Sequence, residues 1–249
     1  MPHPQRSSSA YWLETSGGNI LLDCSATAPH RMANCGVDWP NVDAIWISHF
    51  HMDHVGGLGP LLAGTKHVPA MQERKKPLTI YGPVGFAKLF DGISSVRDYK
   101  LREQRFPLKV VEVNSGEEFE IANGLTAITQ KTPHTAESHA IHISDGRTRV
   151  MYSADTGFEE KVATFASGVD LMILECSFFR EKRSKKHLVL SEAIDLITKA
   201  QPRRAMLTHF YPEWDEVDFD KEVAALSPVC EVIQANDGLG VFISGETKN

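Results

Sequence analysis

Short runs of apolar and β-branched residues recur through the first half of the chain, and residues typical of turns separate them. Such runs between turn residues predict β-strands. The Gly17-Gly18 pair between the first two runs predicts a hairpin turn. The predicted strands of this half are Ala10–Glu14, Asn19–Asp23, Ala44–Ser48, Leu78–Tyr81, Leu108–Val113, Phe119–Ala122 and Leu125–Lys131.

Helical patterns are fewer and lie mainly in the second half of the chain. Apolar residues at helical spacing predict the helices Pro83–Asp91, Gly157–Ala166 and Ser191–Ala200, and Pro202 follows the last of them. Strands first, and then strands interleaved with helices, predict an α/β fold with two sheets and helices outside them. The later predicted strands are Arg149–Ser153, Val169–Glu175, Arg204–Thr208, Val229–Gln234 and Gly240–Ser244.

The length and composition are those of a globular protein. The 249 residues are enough for one large domain or two small ones, and no Ser/Gly/Pro-rich linker divides them, so we expect a single domain over residues 1–249. No apolar run approaches the roughly 18–20 residues of a membrane span, so no membrane association is expected. The polar segment Met1–Ser9 lacks the apolar core of a signal peptide. The four cysteines lie far apart, which favours reduced thiols and a cytoplasmic location.

The chain is mildly acidic, with 26 Lys and Arg residues against 32 Asp and Glu residues and a formal charge of -6. This charge argues against sequence-independent binding to long nucleic acid, which requires net positive charge. Cations nevertheless cluster in the segment from Arg180 to Lys186. They either lie beside a site and attract an anionic substrate or form a solvated loop, and both interpretations stay open.

The segment His49-Phe50-His51-Met52-Asp53-His54 follows the predicted strand Ala44–Ser48 and places three imidazoles and a carboxylate close together. Imidazole and carboxylate groups are ligands that suit zinc, manganese or iron. His49 and His51 are two residues apart and can hold one ion, whereas Asp53 and His54 fall on the following turn and can hold another. The segment therefore predicts a metal site.

Several predicted strands end at a residue type that ligates metals. Side chains at the carboxyl ends of strands that run the same way converge on one edge of a sheet, where the sites of layered α/β folds lie. The series therefore predicts that these residues meet at one edge. They are His49, His134, Asp155, Glu175 and His209.

The chain resembles the metallo-β-lactamase superfamily, and in particular its ribonuclease Z-like phosphodiesterase branch. The resemblance implies a four-layer αββα sandwich, the metallo-β-lactamase fold, with a dinuclear metal centre on one edge. It rests on the order and spacing of six segments, Leu21-Leu22-Asp23, His49 to His54, Pro133-His134-Thr135, Ser153-Ala154-Asp155-Thr156, Leu174-Glu175-Cys176-Ser177-Phe178 and Leu207-Thr208-His209-Phe210.

By position, the resemblance implies seven metal ligands, all of them His or Asp. They are His49, His51 and His134 for one ion, Asp53, His54 and His209 for the other, and Asp155 as a bridge between the two. The expected cofactor is a pair of Zn²⁺ ions, with Mn²⁺ or Fe²⁺ as alternatives. Two such cations lower the pKa of a bridging water, so that hydroxide is present at neutral pH. Asp53 would also orient this hydroxide, which gives it a catalytic role.

Two further catalytic candidates match the proton relay of ribonuclease Z-like enzymes, in which a Glu after a strand and a His before the next helix serve the leaving group. Glu175 matches the Glu and His187 matches the His. Leu174 stands where a His often precedes the Glu, and Leu188 stands where a small hydroxyl residue often follows the His. A carboxylate keeps an imidazole protonated as a general acid. The alternative is that His187 caps a helix or faces solvent.

Asp23 ends a predicted strand close to the expected edge of the site. It would either hydrogen-bond a ligand imidazole and fix its tautomer or cap a turn. The sequence leaves both interpretations open.

Three classes of function fit the resemblance. The Glu175–His187 pair favours a dinuclear metal phosphodiesterase that acts on a small anionic substrate, such as a cyclic nucleotide. A lactonase or thioester hydrolase shares the metal set, and a non-catalytic metal-binding scaffold is the third class. Processing of tRNA 3′ ends is disfavoured, because the long basic arm of those enzymes is replaced here by two predicted strands around Asp145-Gly146. A homodimer is compatible with the sequence.

Overall fold

The structure, a computed structural model, describes residues 3–244, and its contacts divide the chain into two compact units. The first unit runs up to Asn114 and includes Glu120–Gly124, and the second contains Ser115–Phe119 and the chain from Leu125 onwards. The expectation of a single domain over residues 1–249 stays a prediction. Residues 1–2 and 245–249 lie outside the described residues. The first two residues of Met1–Ser9, the segment that lacks the pattern of a signal peptide, are among them.

The first unit contains a five-stranded sheet with the order β1-β2-β3-β4-β5. Its strands are β1 (Tyr11–Thr15), β2 (Gly18–Leu22), β3 (Val42–Trp46), β4 (Leu78–Pro83) and β5 (Leu108–Val113). β1 and β2 form an antiparallel hairpin in which Thr15 pairs with Gly18, close to the predicted turn. β2 to β5 run parallel, so their carboxyl ends lie at the same edge of the sheet.

Helices cover this sheet within the first unit. They are α1 (Ala28–Cys35), α2 (Met52–Val55), α3 (Leu58–Thr65), α4 (Pro69–Glu73) and α5 (Phe86–Ser94), with a short 3₁₀ segment at Trp39–Asn41. The apolar spacing predicts α5, as Pro83–Asp91, and misses the others. α2 is a single turn and α3 is apolar on all sides, so neither shows an amphipathic pattern. The fully buried side chains of Ile45, Leu62 and Phe86 belong to the core of this unit.

The second sheet has seven strands in the order β12-β11-β10-β9-β8-β7-β6. They are β6 (Glu118–Ala122), β7 (Leu125–Lys131), β8 (His139–Ser144), β9 (Arg149–Tyr152), β10 (Leu171–Glu175), β11 (Arg204–Thr208) and β12 (Glu231–Gln234). β9, β10 and β11 are parallel, and β7 runs the same way because β8 is antiparallel to both of its neighbours. β8 and β9 are the strands predicted around Asp145-Gly146, and that prediction is confirmed.

The helices of the second unit are α6 (Glu160–Phe165), α7 (Leu190–Ala200) and α8 (Phe219–Ala225), with a 3₁₀ segment at Pro212–Trp214. α7 buries Leu190, Ile194 and Ile197 at the predicted helical spacing. Its first turn is closed by the Glu192 carboxylate, which accepts the Val189 N–H at 3.2 Å. The predicted α7 is therefore confirmed to within one residue.

The predicted strand Gly240–Ser244 is wrong. This segment is irregular, although Val241, Phe242 and Ile243 form an apolar run typical of a strand. Its carbonyls at Phe242 and Ser244 accept hydrogen bonds from the side chains of Arg204 and Arg203. The Phe242 side chain is 86% exposed, so this apolar run is not a buried strand.

The predicted α/β class is confirmed, since the structure has two sheets with helices packed against each within its own unit. No helix in the described part of the chain is both long enough and apolar enough to cross a membrane. The four cysteines are free thiols, as predicted.

His139, the first residue of β8, is a buried imidazole whose ring nitrogens have no hydrogen-bond partner among residues 3–244. Burial, followed by the charge of Lys131, lowers the pKa of His139 from 6.5 to about 4. The unfolded chain therefore takes up a proton near pH 6.5, whereas the folded chain does so only near pH 4. The contribution of neutral His139 to the free energy of unfolding is therefore fully present above pH 6.5 and is lost as the pH falls from 6.5 to about 4.

Replacing His139 with Phe removes this titrating group. We expect the variant to gain about 2–3 kcal/mol of unfolding free energy relative to the native protein between pH 7 and pH 4. Urea unfolding of both metal-free proteins across this range measures the difference, and the other histidines cancel in the comparison. If the free energies of unfolding of the native protein and the variant instead changed in parallel with pH, His139 would be readily protonated in the folded state.

Candidate metal centre

In the first unit, the buried carboxylate of Asp23 links the ends of β2 and β3. Its Oδ1 accepts the Ser48 N–H at 2.8 Å, and its Oδ2 accepts the Ser48 hydroxyl at 2.8 Å and the His54 Nδ1–H at 2.6 Å. The bond from His54 confirms that Asp23 fixes the tautomer of a candidate ligand. With Nδ1 protonated, the lone pair of neutral His54 lies on Nε2.

Ser48 extends the same arrangement to His49. The Ser48 hydroxyl donates its one hydrogen to Asp23, so His49 Nδ1–H donates to Ser48 Oγ over 3.0 Å. One carboxylate therefore orients two predicted ligands, one directly and one through a serine. Sequence reasoning missed Ser48, although a hydroxyl residue directly before the first His of the motif is a usable signal.

The predicted ligands of this unit lie close together. His51 is exposed and precedes α2, while Asp53 and His54 lie within that helix. The ring centre of His49 is 4.7 Å from that of His51 and 4.1 Å from that of His54. His54 Nε2 is 3.8 Å from Asp53 Oδ2. The structure thus gathers four of the seven predicted ligands at the carboxyl end of β3.

A close backbone approach at Gly57 fixes α2 in place. The Gly57 N–H donates to the Cys24 carbonyl, and the Cys24 N–H donates to the His54 carbonyl, both at 2.7 Å. A β-carbon at Gly57 would lie 2.0 Å from the Ser25 carbonyl oxygen, so only glycine fits there. The position of His54 therefore depends on backbone contacts behind it.

In the second unit, four predicted residues converge at the carboxyl edge of the sheet. His134 follows β7, Asp155 follows β9, Glu175 ends β10 and His209 follows β11. Asp155 lies between two imidazoles, with Oδ2 3.6 Å from His134 Nε2 and Oδ1 3.3 Å from His209 Nε2. The fifth residue of the predicted series, His49, belongs to the first unit.

The buried carboxylate of Glu175 accepts five hydrogen bonds. Oε1 accepts the Thr156 N–H at 2.9 Å and the His187 Nδ1–H at 2.8 Å. Oε2 accepts the N–H and the hydroxyl of Ser177 and the Leu188 N–H. These donors satisfy the lone pairs of a buried carboxylate. Glu175 therefore orients its neighbours through hydrogen bonds.

Ser177 connects Glu175 to His209. Its hydroxyl donates to Glu175 Oε2 at 2.8 Å and accepts the His209 Nδ1–H at 2.9 Å. His209 thereby turns the lone pair on Nε2 toward Asp155, as Ser48 orients His49 in the first unit. Ser177 Oγ also lies 3.1 Å from His187 Nδ1. Sequence reasoning missed Ser177, although it lies two residues after the strand-ending Glu.

His187 lies against the candidate ligands of this unit. Its ring stacks on His209, with centres 5.4 Å apart and planes at 13°, and its centre is 4.8 Å from that of His134. Its side chain is 11% exposed, which rules out the solvent-facing alternative. The Tyr211 ring, which sequence reasoning also missed, is 5.8 Å from His187.

These contacts fit metal ligation. His54, His134 and His209 each face a carboxylate through Nε2, while their Nδ1–H groups bond to Asp23, to the Lys186 carbonyl and to Ser177. In a neutral imidazole so arranged, a lone pair on Nε2 points at an electron-rich oxygen, which is repulsive unless a cation lies between them. Imidazole and carboxylate donors are those that zinc and manganese accept.

The buried thiols take no part in this donor set. Burial raises the pKa of Cys24 well above its usual value, and the neighbouring Asp23 adds to the effect. Burial and then Glu175 raise the pKa of Cys176 in the same way. Within residues 3–244, the groups of side chains whose ligand atoms lie close enough together to hold a metal ion contain no cysteine.

The basic segment from Arg180 to Lys186 is largely neutralised by acids of its own unit. Three of its five cations form ion pairs, Arg180 with Glu222 at 3.1 Å, Lys182 with Glu192 at 2.5 Å and Arg183 with Glu213 at 3.6 Å. Lys185 and Lys186 are exposed and form no ion pair within the described ranges. The solvated-loop interpretation therefore holds for most of the segment.

The backbone of this segment is tied to the site at Gly157. The Gly157 N–H donates to the Pro133 carbonyl at 3.1 Å, and His134 Nδ1–H donates to the Lys186 carbonyl at 3.0 Å. A β-carbon at Gly157 would lie 2.1 Å from the Lys185 carbonyl oxygen. Only glycine lets these three backbone segments meet.

The sequence model described as "Beta-lactamase superfamily domain" matches residues 18–210, a span that includes every predicted ligand. The chain belongs to the beta-lactamase superfamily. Ribonuclease Z from Agathobacter rectalis is 25% identical over an alignment of 270 positions that covers 88% of this chain and 86% of that protein. The name of this relative agrees with the predicted resemblance to the ribonuclease Z-like branch.

Solved structures share the fold of this superfamily member. The metallo-beta-lactamase fold protein YhfI from Bacillus subtilis matches with a TM-score of 0.79 and 24% identity, over 96% of this chain and 93% of that one. A new diphosphatase from the PhnP family matches with a TM-score of 0.71 and 17% identity, over 99% of this chain and 89% of that one. The predicted metallo-β-lactamase fold is confirmed.

We expect Ser177→Ala to weaken metal binding by roughly 10–100-fold, because His209 loses the acceptor that fixes its tautomer. Ser177→Thr keeps a hydroxyl and should restore most of the affinity. Competition with a chromophoric chelator measures both values on the purified protein. Ser48→Ala is the matched change in the first unit. Unaltered affinity in Ser177→Ala would mean that His209 is held by other contacts.

Proposed function

We propose that the protein is a dinuclear metal phosphodiesterase that cleaves small phosphodiesters, such as cyclic nucleotides. The observation that carries the proposal is the hydrogen bond between Glu175 and His187. His187 lies beside Asp155 and His209, and each of the three residues has a possible ligand atom within 4.8 Å of those of the other two. A phosphodiester releases an alkoxide, which needs a proton in order to leave, and a thioester releases a thiolate, which hardly does. A buried acid–imidazole pair therefore suits phosphodiester chemistry.

The proposal assigns the seven ligands by their positions in the superfamily motif. They are His49, His51 and His134 for one ion, Asp53, His54 and His209 for the other, and Asp155 for both. Zn²⁺ is the proposed metal, on the imidazole and carboxylate chemistry of the set. When bound, the ions would supply a hydroxide at neutral pH and neutralise charge on the phosphoryl oxygens.

Protein side chains would perform the remaining steps of the reaction. Asp53 would accept a hydrogen bond from the attacking hydroxide and orient it toward phosphorus. His187, charged and held through Nδ1 by Glu175, would donate its Nε2 proton to the departing alkoxide. Glu175 acts as a positioning residue, because its lone pairs are occupied by donors of the chain.

A small substrate is supported by the acidic charge of the chain and by the hairpin β8–β9. The chain carries a formal charge of -6, and the segment between His134 and Asp155 forms this hairpin in place of a long basic arm. The relatives include both a ribonuclease and a diphosphatase by name. The charge favours the small substrate, because long RNA binds through phosphate neutralisation.

A substrate panel tests the proposal directly. The metal-loaded protein is assayed on a chromogenic phosphodiester, a lactone, a thioester and a precursor tRNA. We expect kcat/KM to be highest for the phosphodiester and cleavage of the tRNA to be slow. Faster turnover of the lactone or thioester would assign the protein to that class instead. Efficient cleavage at the 3′ trailer of the tRNA would contradict the small-substrate proposal.

We expect the purified protein to bind two divalent ions per chain, and Asp155→Ala to lose at least one of them together with nearly all activity. The variant removes the carboxylate that the proposal shares between the ions, so two cations would repel each other across the gap. Elemental analysis after gel filtration gives the stoichiometry. Two retained metals with near-native turnover would show that Asp155 is not the bridge.

The role of His187 is tested with two leaving groups. We expect His187→Ala to slow hydrolysis of an alkyl phosphodiester by roughly 10²–10⁴-fold and to spare a nitrophenyl ester far more, because nitrophenolate hardly needs a proton. Metal content should stay constant. Equal losses on both esters would indicate substrate binding, and loss of metal would make His187 a ligand.

A further inference from the structure

A groove of about 480 Å³ lies in the first unit, between α5 and the residue at the centre of the metal motif. Phe50, which stands between His49 and His51, forms one wall. The other wall is a single face of α5 and its continuation, because the lining positions recur at helical spacing. They are Lys88, Leu89, Gly92, Ile93 and Val96, together with Gly85 just before the helix.

The lining of the groove is apolar apart from one cation. Val96 is 49% exposed, and the Phe50 ring packs on Phe86 with centres 6.3 Å apart. A β-carbon at Gly92 would meet no atom within 4 Å, so this glycine leaves open space on the helix face. A groove of this size holds a ring system of one or two rings.

Lys88 gives the groove its charge. It is exposed and forms no ion pair with any residue in the range 3–244. Asp91, the acidic residue of α5, is already paired with Arg102 at 2.5 Å. The Glu112 carboxylate lies at the start of α5, where it accepts the N–H groups of Gly85 and Ala87 at 2.9 Å. The groove therefore presents an apolar surface with Lys88 as the charged residue of its lining, which suits an anion that carries an apolar group.

We propose that this groove binds the aromatic group of the ester substrate, on the side of the phosphoryl group away from the leaving oxygen. The inference rests on the proposed function and narrows its substrate class to aryl or nucleobase-bearing phosphodiesters. Phe50 offers its ring to the aromatic group, and Lys88 attracts the phosphoryl oxygens. Phe50 lies between His49 and His51 in the chain, so this groove lies next to these candidate ligands.

Two phosphodiesters with the same leaving group test the groove. Phenyl p-nitrophenyl phosphate and methyl p-nitrophenyl phosphate differ only in the group that would occupy it. We expect the native protein to favour the phenyl ester through KM. Gly92→Leu fills the groove and should raise KM for the phenyl ester by roughly tenfold or more, with KM for the methyl ester changed less than about twofold.

Gly64→Leu is the matched control. Gly64 lies near the carboxyl end of α3 as Gly92 does in α5, and its β-carbon also meets nothing within 4 Å, but it does not line the groove. This variant should keep the phenyl preference. Lys88→Met should raise KM for both esters at low salt, and the effect should shrink at high salt. An unchanged ester preference in Gly92→Leu, with metal content intact, would overturn the proposal.

A binding measurement separates this proposal from the proposed function. If neither ester is hydrolysed, calorimetry with phenylphosphonate and methylphosphonate still tests the groove on the metal-loaded protein. Tighter binding of phenylphosphonate that Gly92→Leu abolishes would support the groove although phosphodiester cleavage had failed. Equal binding of both phosphonates would overturn it. Conversion of a native dimer to monomers by Gly92→Leu in sedimentation would also overturn it, because the groove would then join two copies of the chain.

Discussion

A buried carboxylate that holds two imidazoles is the constraint on which each half of the candidate site depends. Asp23 holds His54 directly and His49 through Ser48, and Glu175 holds His187 directly and His209 through Ser177. A charge in a protein interior is costly unless donors surround it, and here backbone and hydroxyl groups do so. The tautomers are thus set by the protein rather than by an arriving ion, which lowers the reorganisation that metal binding requires.

Unusual backbone conformations accompany these carboxylates. Asp23, Ala154 and His209 have φ values of 57°, 54° and 63°, in the left-handed region that non-glycine residues rarely adopt. Each lies just beyond the end of a strand of its sheet. Such strain persists only where surrounding hydrogen bonds over-determine the conformation. The left-handed conformation turns the chain sharply at these residues, so that side chains just after a strand point along the edge of the sheet.

The strands and the ligand residues could be predicted because their signals are local. Period-two or continuous apolar runs mark β3, β7 and β10 without reference to the rest of the chain, and the residues that follow them are recognisable by type. His49 to His54 is informative for the same reason. The amphipathic stripe of α7 extends over enough turns to stand out from its surroundings.

The features that sequence reasoning missed depend on partners distant in the chain. A serine hydroxyl such as Ser177 gains its role only because His209 lies beside it in space. The pairing of Arg180 with Glu222 likewise cannot be read from the basic segment alone. The error at Gly240–Ser244 has the same origin. A short apolar run predicts a strand, but it cannot reveal that arginine side chains, rather than a neighbouring strand, bind the carbonyls of this segment.

The close approach at Gly157 has an evolutionary consequence. The Lys186 carbonyl holds the segment leading into His187 to the site, because it accepts the His134 Nδ1–H, and the Lys185 carbonyl passes close to Gly157. Substitutions there can change surface charge while the backbone path, and with it the position of His187, is inherited unchanged. A lineage could therefore adapt this surface to differently charged substrates one residue at a time without rebuilding the chemistry beneath it.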